Sequence, residues 1–212
     1  MRDIYYDDDN QVLKNKLGIT NEERLNKAQA DFTILRTKEL LDNDSIGIDE
    51  NSLRFIHYHM FQDLFDWAGC YRKLNIEKPE RVLNGFSIEY EDYQNIDKRI
   101  KEIFVNDQEI DLNRFNDQEK LLYISDLMIN IWKCHPFRDG NTRTVIIFIC
   151  NYCKKKGLEI KDDLLLNNCG YVRSSLVAAS FSHKALERVP KKEYLYRIME
   201  DMLNVKKEIK VK

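Results

Sequence analysis

His135, Asp139, Gly140, Asn141 and Arg143 stand together in one short run, His135-Pro136-Phe137-Arg138-Asp139-Gly140-Asn141-Thr142-Arg143-Thr144. An imidazole with an ordinary pKa near ~6.5 accepts protons at neutral pH. His135 is therefore suited to deprotonating an alcohol that attacks phosphorus. Asp139 is a hard oxygen ligand, and magnesium typically takes one or two protein carboxylates together with phosphate oxygens. Gly140 permits close backbone approach, and the N–H groups of Gly140, Asn141 and Thr142 can form an anion nest. Arg143, on the first turn of a helix, can grip a phosphate from the side. Phe137 carries no chemistry and is expected to anchor the loop in the core. A base, a metal ligand, an anion nest and a cation are what phosphoryl or nucleotidyl transfer requires.

These residues need a helix end before them and a helix start after them. Asn116-Asp117-Gln118-Glu119 has the spacing of a capping box and opens a long apolar helix through Trp132. The run from Val145 to Ile149 predicts a buried central helix over residues 140–156, closed by Lys154-Lys155-Lys156-Gly157. Thr20-Asn21-Glu22-Glu23 predicts a helix to about Leu41. Leu53, Ile56, Met60 and Leu64 mark a second helix with Gly69 as a stop, and Tyr93, Ile96, Ile100 and Ile103 a third. Shorter helices are expected over 163–166 and 171–180, and a last one with Pro190 at its first position. Residues 71–76 and 85–90 show strand character around a polar loop, so a small β-hairpin is expected. The reading is an all-α bundle with one hairpin, a single domain over 1–212 with its core at about 10–205 and flexible ends, the lysine-rich tail being a solvated one.

With 212 residues and a formal net charge of −2, the chain lacks the electrostatic footprint of a nucleic-acid binder. No apolar run reaches membrane-spanning length, and the acidic N-terminus does not read as a secretory signal. An odd set of five cysteines suits a reducing cytoplasm.

The decapeptide closely resembles the signature of the Fic family, His-x-Phe-x-(Asp/Glu)-Gly-Asn-(Gly/x)-Arg. Two further segments, Leu13-Lys14-Asn15-Lys16-Leu17-Gly18-Ile19 and Phe61-Gln62-Asp63-Leu64-Phe65-Asp66-Trp67-Ala68-Gly69, look like other Fic stretches. The resemblance implies that His135 is the general base and that Asp139 holds a magnesium bridging the α- and β-phosphates of ATP. It implies that Gly140 and Asn141 form the anion hole and that Arg143 contacts the phosphates. The implied product is a target-protein Tyr, Ser or Thr hydroxyl bearing AMP, with pyrophosphate leaving. The hairpin would be the family's flap, docking an extended target segment along its strand edge near Ser87.

The chain departs from the pattern at two positions. Thr142 stands where many members have Gly, and Ile146 stands where many have a second arginine. The Doc branch, which phosphorylates its target, has Ala and Lys at the positions of Gly140 and Thr142, so the chain sides with adenylyl transfer. Alternatives are a Doc-like protein kinase and a catalytically weak Fic fold acting as a binding module. The family's inhibitory pattern, Ser/Thr-x-x-x-Glu-(Gly/Asn), has no match here. Restraint is therefore expected from a small antitoxin-like partner in trans, or not at all.

Other chemistry-bearing residues read as ordinary. His57 and His59 are expected at the surface or an interface. Cys150 and Cys153 are expected in the core, without zinc. Arg72, Lys73, Lys78 and Arg81 are expected to be solvated hairpin charges, and Arg138 to be exposed.

Overall fold

The computed structural model describes residues 3–7, 9, 11–183 and 187–205. The lysine-rich tail after residue 205 lies outside the described residues. Eight α-helices occur among them: α1 Glu22–Leu41, α2 Glu50–Phe61, α3 Ile96–Gln108, α4 Asp117–Cys134, α5 Asn141–Lys155, α6 Asp162–Asn167, α7 Cys169–Ser180 and α8 Glu193–Met202. Two short 3₁₀ turns, Arg81–Leu83 and Leu112–Arg114, complete the set.

The capping box before α4 is present in both directions, Asn116 Oδ1 accepting from the Glu119 N–H and the Glu119 carboxylate from the Asn116 N–H. Such caps satisfy amides that a helix start leaves without partners. The first helix is capped one residue later than the sequence suggests, by Asn21, whose side chain accepts from the Arg24 N–H. Helix α8 starts at Glu193, beyond Pro190.

Helix α5 is the axis of the bundle. It packs against α1, α2, α4, α6 and α7, and Val145 through Cys150 are buried without interruption. Cys150 and Cys153 face this core. Helix α4 runs into α5 through the 135–140 loop, so the reactive residues hang between two core helices.

The expected hairpin is not there. No β-strand occurs among the described residues, only two isolated bridges elsewhere. Residues 71–91 instead form two extended arms joined through the Arg81–Leu83 turn, and the reason is chemical. Pro79 has no N–H to offer a ladder. The Lys78 N–H goes to the Ser87 hydroxyl at 3.0 Å instead of to a carbonyl. Asn84 (φ 55°) and Gly85 (φ 91°) turn the chain sharply. At the base, the Arg72 guanidinium donates to the carbonyls of Leu74 and Glu91, and Asn75 bonds Asp92. Side chains clasp the two arms where a backbone ladder was expected. Ser87 thus spans the loop internally, its hydroxyl also donating to the Ile88 carbonyl.

Candidate active site

Helix α4 stops at Cys134 because a proline follows the next residue, and the residue before proline is driven out of the right-handed helical region. His135 adopts a left-handed conformation (φ 50°, ψ 58°) and closes the helix. Such a backbone costs a non-glycine residue on the order of 1 kcal/mol, so the surroundings must hold it. They do. The Arg72 Nε–H donates to the His135 carbonyl at 2.9 Å, and the Arg72 amide to the Pro136 carbonyl at 2.8 Å. Arg72 is only 2% exposed; it is a buried fastener of the loop and not the solvated charge expected from sequence.

The His135 ring is buried against Tyr90, with centroids 4.1 Å apart. Its Nδ1 lies 3.3 Å from the Trp132 carbonyl. A carbonyl only accepts, so Nδ1 carries the proton and Nε2 keeps its lone pair. That Nε2 is buried and has no hydrogen-bond partner. Burial, then the charge of Lys78, push the imidazole well below the usual histidine range, with Arg72 and Arg173 adding to it against the pull of the Trp132 carbonyl. The ring is neutral at pH 7.

Phe137 is fully buried. It stacks on His57 with ring centroids 3.8 Å apart and planes 11° apart. Asn141 reaches back to it: Oδ1 accepts from the Phe137 N–H at 3.0 Å and Nδ2 donates to its carbonyl at 2.8 Å. The Asn141 side chain is committed to the loop, which leaves only its backbone N–H for an anion.

Gly140 (φ 76°) is required twice over. A left-handed backbone favours glycine, and a Cβ there would sit 2.4 Å from the Phe61 ring. Beyond it α5 begins, and Thr144 is the first residue of the helix whose N–H returns to a carbonyl, that of Gly140. The amides of Asn141, Thr142 and Arg143 therefore form an open helix start. Thr142 does not fill it with its side chain, because its Oγ1 is turned aside to accept from Trp132 Nε1 at 2.9 Å.

Asp139 is partly exposed at the mouth of this site, with Lys78 Nζ 3.7 Å from Oδ1 and Arg143 3.8 Å from Oδ2. Burial raises its pKa, but Lys78 and Arg143 outweigh that and hold the carboxyl below its usual range. It is ionised at neutral pH. Among the described residues no cluster of three metal-ligating side chains exists. A single ionised carboxylate at an open helix start fits magnesium that completes its shell with phosphate oxygens and water. Arg143 lies over the Phe61 ring at 4.8 Å and donates to Gln29 on α1 at 3.0 Å.

A family model described as the Fic/DOC family matches residues 47–153, half of the chain. The chain belongs to the Fic/DOC family. It is 30% identical over 165 residues to the protein adenylyltransferase VbhT of Bartonella schoenbuchensis, covering 76% of this chain and 33% of that protein. It is 29% identical over 156 residues to the probable protein adenylyltransferase y4lH of Sinorhizobium fredii, covering 73% of this chain and 77% of that one. The chain thus spans only about a third of the first of these relatives. The Fic fold extends over nearly its whole length: the crystal structure of BepC from Bartonella tribocorum with bound AMPPNP superposes with a TM-score of 0.76 at 20% identity, covering 93% of this chain and 95% of that one.

Several residues of this Fic site were misjudged in the sequence. His57 is fully buried, not at the surface. It accepts from the Gly69 N–H at Nδ1 (2.8 Å), so Nε2 carries the proton and donates to the Asp139 carbonyl at 3.1 Å. The signal was present: His57 sits four residues after Leu53 and four before Phe61, on the apolar stripe of α2. Arg138 is not simply exposed either. It pairs with Asp3 at 2.7 Å and lies over Tyr6, strapping the N-terminal segment across the loop. No sequence pattern announces that contact.

Proposed function

We propose that the chain transfers AMP from ATP to a hydroxyl side chain of a target protein, releasing pyrophosphate. One observation carries this reading: His135 keeps a buried, unpartnered Nε2 in the same short loop that carries the ionised Asp139 and leads into the open start of α5. The relatives named as adenylyltransferases support it.

In this reading the target hydroxyl gives its proton to His135 Nε2 as its oxygen bonds to the α-phosphorus. The bond from that phosphorus to the bridging oxygen breaks, and pyrophosphate departs with the bonding pair. The amides at the start of α5 and the Arg143 guanidinium take up the negative charge that builds on the phosphates. Asp139 would hold magnesium, which supplies further neutralisation of phosphate charge. The imidazolium formed is disfavoured by burial and by Lys78, Arg72 and Arg173, so the proton is readily surrendered once product leaves.

The nucleoside end has a suitable place. A cleft of about 640 Å³ lies between the Arg81–Leu83 turn and α7, lined by Val82, Leu83, Tyr171, Ala178, Phe181 and Tyr194. The ion pair of Arg173 with Glu80 fastens this turn to α7. Exposed Val82 and Phe86 on the same loop offer apolar surface to a target protein. Restraint comes from a partner in trans or not at all, and such a partner would need a contact other than position 146, where Ile146 is buried and offers an inhibitory carboxylate no cation.

ATP labelled at the α- or the γ-phosphate tests the reading on the wild-type chain. α-Label on protein is the expected result. γ-Label on protein would assign phosphoryl transfer instead, and no label would make the chain a binding module.

A further inference from the structure

Lys78 lies in the first arm of the 71–91 loop, and its side chain is 23% exposed. Its backbone is pinned, since its N–H is taken by the Ser87 hydroxyl and Pro79 follows. The side chain runs toward Asp139. The 3.7 Å between Nζ and Asp139 Oδ1 exceeds hydrogen-bond range. Among the described residues none accepts a hydrogen bond from Nζ.

Glu80, the buried carboxylate of this loop, is not available to it. Both oxygens of Glu80 accept from Arg173 at 2.8 Å. Lys78 thus presents an ammonium with uncommitted donors, a half-buried arrangement that an incoming anion would complete.

The position of that ammonium says which anion. Lys78 and Asp139 line a cleft of about 400 Å³ that continues toward α1 and the N-terminal segment, past Gln29, Glu22 and Tyr6. Asp139, the residue that would hold magnesium on the phosphates, lines this same cleft 3.7 Å from the ammonium, so phosphates held there lie within reach of Lys78. Helix α5 offers little charge there. Position 146 is a buried isoleucine, which leaves Arg143, also bonded to Gln29 and Thr33, as the cation in the first turns of α5.

We propose that Lys78 binds the distal phosphates of the nucleotide, supplying from the loop the positive charge that α5 lacks at position 146. This rests on the adenylyl-transfer reading for the direction in which the nucleotide lies. The lysine would make the site selective for triphosphate over monophosphate, and it would shield the charge of the departing pyrophosphate.

Calorimetric titration of the whole chain with Mg·AMPPNP and, separately, with AMP tests this on wild type, Lys78→Met and Lys78→Arg. Thermal unfolding would confirm that each variant is folded. Lys78→Met is expected to weaken AMPPNP binding roughly ten- to a hundredfold, the worth of a charge-assisted contact, while AMP binding stays within about twofold. Lys78→Arg is expected to keep most of the AMPPNP affinity. Equal loss for both nucleotides, or no loss for either, overturns the assignment of Lys78. Wild-type protein that binds AMPPNP but passes no α-label to protein leaves the lysine's role standing and overturns the transfer reading. Wild-type protein that binds no AMPPNP overturns both.

Discussion

The imidazole of His57 donates from Nε2 to the carbonyl oxygen of Asp139 at 3.1 Å while its Nδ1 accepts from the Gly69 amide at 2.8 Å. One neutral ring on α2 therefore ties the turn after that helix to the backbone of the proposed metal-binding residue. Its stacking on Phe137 makes it the floor of the loop as well. His57 touches no substrate in this arrangement; it is a positioning residue.

Replacing His57 separates its two duties. Glutamine can place an N–H near the position of Nε2, whereas phenylalanine keeps the stacking and loses the donor. His57→Phe strands the Asp139 carbonyl and the Gly69 N–H, and each such buried group typically costs about 1–3 kcal/mol. It should lower the denaturant midpoint and reduce turnover more than it weakens nucleotide binding. His57→Gln should recover part of the turnover. Turnover equal in the two variants would show that the hydrogen bond to Asp139 positions nothing.

Acid should unfold the protein partly through its histidines. Burial, set against the Asp139 carbonyl, pushes His57 down to about 3, while the unfolded chain titrates near ~6.5. Below that unfolded value the unfolded state takes the proton first. Stability is then lost as pH falls from the unfolded value toward about 3, at up to about 1.4 kcal/mol per pH unit for one such group. His57→Gln should show a shallower decline than wild type when urea unfolding is repeated down this range. Parallel curves would mean that His57 is not held neutral. His135 is displaced in the same direction, so the acid limb of kcat/KM should lie below the ordinary histidine pKa.

Gly140→Ala tests the packing beneath the anion nest. The added methyl would lie 2.4 Å from a Phe61 ring atom on a left-handed backbone. A loss of roughly 2–4 kcal/mol is expected, strain and overpacking together. Phe61→Leu makes room but leaves the backbone strain, so the double variant should regain part of that loss. Stability measured across the double-mutant cycle gives the coupling; strict additivity would refute the contact.

The helices around the site were readable because their signals are local. The Asn116–Glu119 capping box and the apolar run from Val145 need no distant partner to be recognised. The β-hairpin was misread because period-2 character in 71–76 and 85–90 says nothing about who takes the amides. Pro79, the Ser87 hydroxyl and the Arg72 guanidinium claimed the ladder's places. His57 shares the apolar stripe of α2 with Leu53 and Phe61, a spacing that its nearness to His59 obscures. Arg72, Lys78 and Gln29 each reach the loop from far along the chain. Contacts of that kind are products of the fold, and spacing along the sequence carries no trace of them.

The proposal that His135 is the base stands on a free Nε2, and one pair of numbers tests it most directly. The single-turnover rate of AMP transfer should be measured for wild type and His135→Ala, alongside the affinity of each for Mg·AMPPNP. Loss of a general base typically costs ~10²–10⁴-fold in rate, while in the proposed reaction the phosphate contacts come from Lys78, Arg143 and the start of α5, with Asp139 acting through magnesium. The rate is expected to fall by about that factor with AMPPNP affinity within roughly threefold. A variant that transfers AMP at near the wild-type rate would contradict it.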